Sequence, residues 1–258
     1  MRIRNLIPYP GESFFEYAKR MKYGVLRRIV PSIREKHRLE SMIGPEGYWE
    51  KIQKYQFNLM TEMGLKPHHT FMDIGCGPLP GGLVFIPYLQ TGHYVGIDIR
   101  KESIAEAHIQ LAKAGFADRN PFLAVSSTFG QEELGDRKFD YIWASQILYH
   151  LSDEMIEACL ESVAAHMKPD SRFYGDIIGC PANRIQPDSH WHEFSFFLHS
   201  PDFLEALGGK CGLKMTNLGK IEDYGYPSTI GLKTNILLEF RKDLITHDVS
   251  ETCSESHC

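Results

Sequence analysis

The sequence has no long apolar run. Its longest uninterrupted apolar stretch, LVFIPYL at residues 83–89, is far shorter than the ~20 apolar residues that a membrane-spanning helix needs. The first twelve residues, MRIRNLIPYPGE, are basic but do not contain the apolar core of a secretory signal. We therefore expect no membrane span and a cytoplasmic protein.

Cysteine is present but does not follow a metal-binding or redox pattern. The six cysteines form no C-x-x-C pair and have no zinc-finger spacing. Cysteines without a disulfide pattern are typical of cytoplasmic proteins, in which thiols stay reduced. The sequence also has no internal repeat and no low-complexity block, so a repeat protein is not expected.

What is present is enough apolar material for a folded core. The chain has 258 residues, of which 43% are hydrophobic and 24% are charged. This composition is close to that of ordinary soluble globular proteins, and it excludes disorder throughout the chain. By length, the sequence predicts one large domain, or one domain with an appendage.

The net charge of −5 is unevenly distributed along the chain. Residues 1–40 contain ten Lys and Arg against four Glu, a net +6, which leaves −11 on the rest. This basic arm would contact a phosphate, an acidic lipid or an acidic partner, or it would pair with the acidic body, which we favour. Because the body repels phosphate, no nucleic-acid partner is expected. Residues 247–258 are small and polar, and they predict a disordered tail.

Helical and strand patterns divide the chain near residue 65. Before it, apolar residues recur every three or four positions, as in amphipathic helices. From residue 70, short apolar runs alternate with helical stretches. The runs are TFMDIG (70–75), YVGIDI (94–99), FLAVSS (122–127), FDYIWAS (139–145) and RFYGDIIG (172–179), and two closing strands follow near MTNLGKI and TNILLEFRK. The pattern predicts an α/β doubly wound fold: a seven-stranded, mostly parallel sheet with a terminal antiparallel hairpin and an N-terminal helical arm.

In such a sheet, ligands bind beyond the carboxyl ends of the strands. The first predicted strand ends in FMDIGCGPLPGG, where Gly75 and Gly77 allow a tight turn and a close approach of the backbone to a ligand. The second ends at Asp98, 21 residues after Gly77, where a carboxylate can accept hydrogen bonds from both hydroxyls of a ribose. Together these features predict a cofactor that contains a nucleoside.

The glycine pattern does not fit NAD. The dinucleotide fingerprint G-x-G-x-x-G needs a third glycine where Pro80 stands. Asp73, two residues before Gly75, would also repel a pyrophosphate. S-adenosylmethionine fits better, because it has a ribose, an ammonium and a sulfonium but no phosphate.

Four segments resemble motifs of the class I S-adenosylmethionine-dependent methyltransferases. They are DIGCG (73–77), GID (96–98), FDYIWASQILYHL (139–151) and KPDSRFYGDI (168–177), and the resemblance covers about residues 45–180. One position departs from the family pattern, because Leu79 stands where a glycine is usual and GPLPGG lengthens the loop. With this resemblance we expect a helical arm or lid at 1–65 and a Rossmann-like methyltransferase domain at 66–246.

The resemblance implies roles for residues at the methionine end of the cofactor. Gly75 and Gly77 would back this end, and Asp73 would reach its ammonium, often through water. Ser145 and Gln146, which follow the fourth strand, would line the site near the sulfonium. The alternative for these last two residues is an ordinary polar loop.

The resemblance also implies roles at the nucleoside end. Asp98 would hold the ribose, Ile99 would pack on the adenine, and the loop that starts at Ser127 would flank the adenine edge. The alternative for Asp98 is a helix N-cap. The cofactor expected from both ends is S-adenosyl-L-methionine.

Candidate catalytic residues come from histidines near the predicted acceptor side. A general base is needed only if the methyl acceptor is protonated. His150, at the end of the fourth strand, and His192, in SHWHEFSFFLH, are the candidates, although either could simply pack in the structure. His190, His192 and Glu193 also have a spacing that could bind a metal, but no fourth ligand can be assigned, so no metal is expected.

The predicted acceptor is a small molecule. An aromatic insertion at 180–200, together with Tyr224 and Tyr226, favours a planar or apolar compound, and we expect the arm and the insertion to close its pocket. The leading hypothesis is a methyltransferase directed at oxygen or nitrogen. The alternatives are a methyltransferase whose basic arm docks a macromolecule, and a non-catalytic binding protein with a cofactor fold. The oligomeric state stays open, with a homodimer as one option.

Overall fold

The computed structural model describes residues 30–43, 47–180, 195–227 and 235–243. The predicted first helix, most of the aromatic insertion and the predicted tail lie outside these residues. Among the described ranges, no helix is both long enough and apolar enough to cross a membrane.

Seven strands form one sheet in the order β3-β2-β1-β4-β5-β7-β6. Their bounds are β1 Phe71–Ile74, β2 Tyr94–Asp98, β3 Phe122–Val125, β4 Phe139–Ala144, β5 Met167–Ile178, β6 Leu213–Lys220 and β7 Asn235–Lys242. The first five strands pair in parallel, and β7 is antiparallel to both β5 and β6. The predicted doubly wound sheet with a terminal antiparallel pair is confirmed.

The central strands are buried on both faces, which explains their continuous apolar runs. Every residue of β1 and β2 is buried, whereas the edge strand β3 is only partly covered. Helices cover a parallel sheet on both sides, so its central strands need apolar side chains throughout. Asp73 in β1 and Asp98 at the end of β2 break this rule, and both lie toward the end of the sheet where ligands bind.

The described ranges contain six α-helices, and residue types typical of helix ends mark several of their limits. They are α1 Pro31–Glu40, α2 Trp49–Glu62, α3 Gly82–Tyr88, α4 Lys101–Lys113, α5 Asp153–His166 and α6 Pro201–Lys210. Pro31 begins α1, where a missing N–H costs nothing. Gly64 follows the end of α2 with φ +99°, the left-handed conformation in which a glycine commonly ends a helix. The hydroxyls of Ser152 and Ser200 cap α5 and α6.

Helix α2 packs into the core of the sheet. Its Ile52, Leu59 and Met60 are buried in one cluster with Phe71 of β1 and Trp143 of β4. These contacts place one face of α2 against the sheet.

Helix α1 lies along α4 and is held there by charge pairs. Arg38 pairs with Glu106 at 2.7 Å, and Glu35 pairs with Lys113. The Arg100 guanidinium donates to the carbonyl of Met42 at 3.4 Å. These contacts bring residues 41–43, just after α1, to the carboxyl edge of the sheet.

Candidate active site

A cavity of about 400 Å³ opens at the carboxyl ends of β1, β2 and β4. This volume lies within the range of small-molecule and cofactor sites. The predicted cofactor-binding residues and one of the two predicted catalytic histidines line it together: Asp73, Gly75, Gly77, Asp98, Ile99, Ser127, Ser145, Gln146 and His150. The other histidine, His192, lies outside the described residues.

The loop after β1 is tied to the end of β2. The N–H groups of Gly75 and Cys76 donate to the carbonyl of Ile97 at 2.8 and 3.0 Å, and the N–H of Gly77 donates to the Asp98 carboxylate at 2.9 Å. Gly75 and Gly77 have φ values of +72° and +55°, which side chains disfavour. A Cβ at Gly75 would lie 2.2 Å from Cδ1 of Ile147, so a side chain at this position would force Ile147 to shift.

Leu79 has a left-handed backbone conformation, which glycine adopts more readily than other residues. Its φ is +67°, in the left-handed region that costs an L-residue roughly 1–2 kcal/mol. The side chain is fully buried in the cluster that includes Phe85 and Tyr94. Burial of this side chain, worth ~1.5–3 kcal/mol, offsets the backbone cost.

Asp98 is placed to bind hydroxyl groups. Its side chain is only 6% exposed, and its two carboxylate oxygens accept from the N–H groups of Gly77 and Arg100 at 2.9 and 2.8 Å. The guanidinium of Arg100 lies 3.6 Å from the same carboxylate. Each oxygen of an ionised carboxylate accepts more than one hydrogen bond, so lone pairs remain for a ligand in the cavity.

Asp73 is a buried carboxyl with one neutral partner. It accepts a hydrogen bond from the Tyr94 hydroxyl at 2.7 Å. Burial raises the pKa of the Asp73 carboxyl to about 7, because the charged form loses its hydration. An ammonium in the cavity would favour the charged form.

Ile99 follows β2 and Ser127 follows β3, so both line the cavity on the side away from β4. Ile99 is 45% exposed although it is apolar, which suits a residue that packs against the flat face of a ligand. Ser127 is exposed. Its neighbour Ser126 is buried, and the Ser126 hydroxyl accepts from the N–H groups of Thr128 and Gly130 at 3.3 and 2.8 Å, which shapes this loop.

Ser145 and Gln146 follow β4 directly. The Ser145 hydroxyl oxygen is buried and makes no hydrogen bond within the described part of the chain. Gln146 has φ +60°, an uncommon backbone conformation for a residue with a side chain. Its backbone N–H and its side-chain amide both donate to Asp176 of β5 at 2.7 Å. Burial raises the pKa of the Asp176 carboxyl to about 7.

His150 lies in an aromatic layer at the cavity wall. Its ring centroid is 4.5 Å from that of Tyr149 and 4.9 Å from that of Phe196. Burial lowers the pKa of His150, so the ring is neutral near pH 7. Its Nδ1 is 2.7 Å from the carbonyl of Ser195 and must donate to it, which leaves the lone pair on Nε2.

The sequence did not single out the cavity residues that come from α2 and its N-terminal side. Tyr48, Ile52 and Gln56 line the cavity. Gln56 Oε1 is buried against Gly81, where a Cβ would lie only 2.1 Å away. In the sequence these residues read as an amphipathic helix, and only the packing of α2 on the sheet shows that they reach the cavity.

Comparisons with known proteins agree with this geometry. A family model described as a methyltransferase domain matches residues 72–173. A sterol 24-C-methyltransferase of Gibberella zeae is 25% identical over 128 residues, which are 50% of this chain and 32% of that protein. The chain thus spans about a third of that curated relative.

Two solved structures share the fold. A S-adenosylmethionine-dependent methyltransferase of Clostridium acetobutylicum has a TM-score of 0.58 at 14% identity, and the match covers 82% of this chain and 99% of that one. The magnesium protoporphyrin IX methyltransferase of Synechocystis, solved with bound S-adenosylmethionine, has a TM-score of 0.56 at 15% identity, with coverages of 85% and 96%.

Fold, cavity and family model together define the class of protein. Residues 72–173 match a methyltransferase domain and the sheet has the fold of S-adenosylmethionine-dependent methyltransferases, so the resemblance and the cofactor predicted from the sequence are confirmed. The cavity fits this cofactor: two left-handed glycines beside it, a buried carboxylate with lone pairs to spare, and the partnerless buried hydroxyl of Ser145. In the described ranges, no group of three or more His, Cys, Asp or Glu could hold a metal ion.

Burial of Asp73 predicts a measurable pH dependence of stability. The folded-state pKa of about 7 exceeds the ordinary value of 3.8, so the folded protein binds a proton that the unfolded chain releases. Without bound cofactor, the wild type should gain ~1.4 kcal/mol of unfolding free energy per pH unit, relative to Asp73→Asn, as pH falls from about 6.5 to 5. Asparagine keeps the acceptor for Tyr94 but cannot ionise.

Urea unfolding of both proteins across this pH range checks the prediction. Subtracting the two curves removes the contributions of groups that are common to both, such as Asp176 and His150, whose pKa values are also shifted. Parallel curves for the two proteins would show that Asp73 does not hold a raised pKa.

Proposed function

We propose that the protein transfers a methyl group from S-adenosylmethionine to an oxygen or nitrogen atom of a small apolar or aromatic molecule. The observation that most supports this is the composition of the cavity wall. The cavity that contains the predicted cofactor residues is also lined by apolar side chains from four separate parts of the chain, namely Ile52, Phe129, Met155 and Phe196. Such a wall suits an apolar ligand.

S-adenosylmethionine supplies, when bound, a methyl group on a sulfonium, and transfer to a nucleophile's lone pair breaks the carbon–sulfur bond and leaves a neutral thioether. The main task of this chain is therefore to hold the two reactants in line, which can supply ~7–11 kcal/mol of the barrier. We assign Asp98 to the ribose hydroxyls and Asp73 to the ammonium. Gly75 and Gly77 let the backbone approach the methionine end.

His150 is our candidate for the general base. A neutral imidazole with its lone pair on Nε2 can take a proton from a hydroxyl or an amine. The contact of Nδ1 with the carbonyl of Ser195 selects this tautomer, and the rings of Tyr149 and Phe196 hold its plane. We keep His192 as a second candidate from the sequence.

A macromolecular acceptor docked by the basic arm is the second candidate function. Two of the arm's cations that the structure describes already pair within the chain: Lys36 with Glu50 at 3.0 Å, and Arg38 with Glu106 at 2.7 Å. These pairs favour the interpretation in which the arm's charge is matched by the acidic body. They support a small acceptor over a docked polymer.

Cofactor turnover tests the proposal directly. The purified protein is incubated with S-adenosylmethionine and a panel of aromatic and apolar alcohols, phenols and amines, and S-adenosylhomocysteine formation is measured. We expect turnover with at least one small compound and none with Asp98→Ala. Turnover only with protein, nucleic acid or lipid vesicles would refute a small acceptor, and cofactor binding without any turnover would refute the enzyme.

A further inference from the structure

A buried hydrogen-bond network stands behind the cavity wall at the end of β4. The amide Nε2 of Gln146 donates to the Asp176 carboxylate at 2.7 Å, and its Oε1 accepts from the hydroxyls of Tyr149 and Tyr226 at 2.7 and 2.6 Å. Tyr226 packs edge-on against Tyr55 with 5.0 Å between ring centroids. Gln146 therefore joins the sheet, the turn after β4 and the segment after β6.

When the Asp176 carboxyl is ionised, the direction of the hydrogen bonds around the side chain of Gln146 is determined. The backbone N–H of Gln146 donates to one oxygen of Asp176 at 2.7 Å, and an ionised carboxylate can only accept. The side-chain amide of Gln146 must then turn its nitrogen to the other oxygen, which leaves Oε1 for the tyrosines. Both tyrosines must donate to it, because an amide oxygen has no proton.

This direction makes Tyr149 a pure acceptor toward the cavity. Its single hydroxyl proton is committed to Gln146, and within the described chain its hydroxyl makes no other hydrogen bond. Tyr149 lines the cavity between Gln146, assigned to the sulfonium side, and His150, our candidate base. A group that binds to its oxygen must bring its own hydrogen.

From this geometry we propose that Tyr149 determines the specificity of the methyl-acceptor site, and that it selects acceptors whose reacting nitrogen or oxygen carries a hydrogen. The Asp176–Gln146 pair is a positioning unit that keeps the Tyr149 oxygen accepting. The inference rests on the proposed function, since it describes the acceptor of that reaction. Carbon nucleophiles such as alkenes have no such hydrogen and gain nothing at this position.

The network offers a substitution that reverses its direction. In Asp176→Asn, the backbone N–H of Gln146 and the side-chain amide of Asn235, which also donates to residue 176, both need the amide oxygen, so the new NH₂ group faces the side chain of Gln146. Gln146 must then turn Oε1 to residue 176 and its NH₂ group to the tyrosines. Tyr149 now accepts from Gln146 and its own proton is released toward the cavity.

A second substitution restores the original direction. In Asp176→Asn with Gln146→Glu, one glutamate oxygen accepts from residue 176 and the other accepts from Tyr149 and Tyr226. The pair again holds one carboxylate, and Tyr149 is again an acceptor. Tyr149→Phe keeps the ring but removes the oxygen altogether.

The experiment uses matched probes on the protein saturated with S-adenosylhomocysteine. The pairs are 2-naphthol and 2-methoxynaphthalene, indole and 1-methylindole, and aniline and N,N-dimethylaniline; the second member of each has lost the hydrogen. Calorimetric titration is done near pH 8, where the Asp176 carboxyl, with a pKa of about 7, is ionised. Thermal unfolding and S-adenosylhomocysteine binding confirm that each variant is folded.

We expect the wild type to bind the hydrogen-bearing member of at least one pair roughly tenfold more tightly than its methylated partner. The ratio of the two affinities should fall to near one in Tyr149→Phe and in Asp176→Asn. It should return to the wild-type value in the double variant. Equal affinities within every pair, no binding by any hydrogen-bearing probe, or a preference unchanged in Tyr149→Phe would overturn the inference. Failure of the proposed function looks different, since the wild type would then form no S-adenosylhomocysteine from S-adenosylmethionine with any small compound of the panel.

Discussion

Asp98→Ala is expected to lower the affinity for S-adenosylmethionine at least ~100-fold. The carboxylate is buried and accepts from Gly77 and Arg100, so its position is set by two backbone N–H groups. Each hydrogen bond between a ribose hydroxyl and a charged acceptor contributes roughly 1.5–3 kcal/mol, and two of them account for a factor of a hundred or more. Loss of the carboxylate also leaves both N–H groups without their partner.

Isothermal titration calorimetry with S-adenosylmethionine measures the effect. Asp118→Ala is the matched control, because Asp118 is exposed on a short helical turn away from the cavity lining. Asp98→Asn is expected to lie between alanine and wild type, since one acceptor oxygen remains. An affinity of Asp98→Ala within a few-fold of the wild type would refute the ribose assignment.

Gly75→Ala is expected to destabilise the protein by ~2–4 kcal/mol, considerably more than Gly77→Ala. Both glycines have left-handed φ values, and alanine pays roughly 1 kcal/mol for that at either position. At Gly75 the new methyl group would lie 2.2 Å from Cδ1 and 2.5 Å from Cγ1 of Ile147, whereas at Gly77 nothing is closer than 3.9 Å. Overpacking of this kind costs a further ~1–3 kcal/mol.

Gly77→Ala is the control for Gly75→Ala, because both variants carry the cost of a left-handed φ. A double-mutant cycle with Ile147 isolates the steric overlap at Gly75. Ile147→Ala removes the atoms that the methyl group would meet, so Gly75→Ala with Ile147→Ala should be at least ~1 kcal/mol more stable than the two single effects predict together. Unfolding in urea measures all of these free energies. Equal losses for Gly75→Ala and Gly77→Ala would mean that Ile147 moves aside freely.

Much of the sheet could be predicted, because its central strands give short apolar runs that are easily recognised in the sequence. Strands β1, β2 and β4 are largely buried on both faces, so they appear as mostly apolar runs. Asp73 and Asp98 are carboxylates within two of these runs, near the end of the sheet where ligands bind, and this position identified them as candidate site residues. The tight turn after β1 could also be predicted, because Gly75 and Gly77 stand where the backbone needs left-handed φ values.

The rest of the site depends on contacts between distant parts of the chain. Gln56 reaches the cavity only because α2 packs on the sheet, and no local pattern encodes that placement. Asp176 reads as one residue of a strand, although the structure joins it to Gln146, 30 positions earlier. Leu79 departs from the glycine pattern, and only the structure shows that it has a left-handed backbone conformation together with a fully buried side chain.

Because α2 packs on the sheet, the segment that the family model matches is shorter than the segment that must stay together for folding. Residues 72–173 are sufficient for recognition by the family model, yet they omit α2, which packs against the sheet, and β7, which pairs with residues 173–178 of β5. A fragment cut at those limits would present a bare apolar surface and an open strand edge, both of which promote self-association. A chain shortened for expression or grafting should therefore keep α2 and the two closing strands.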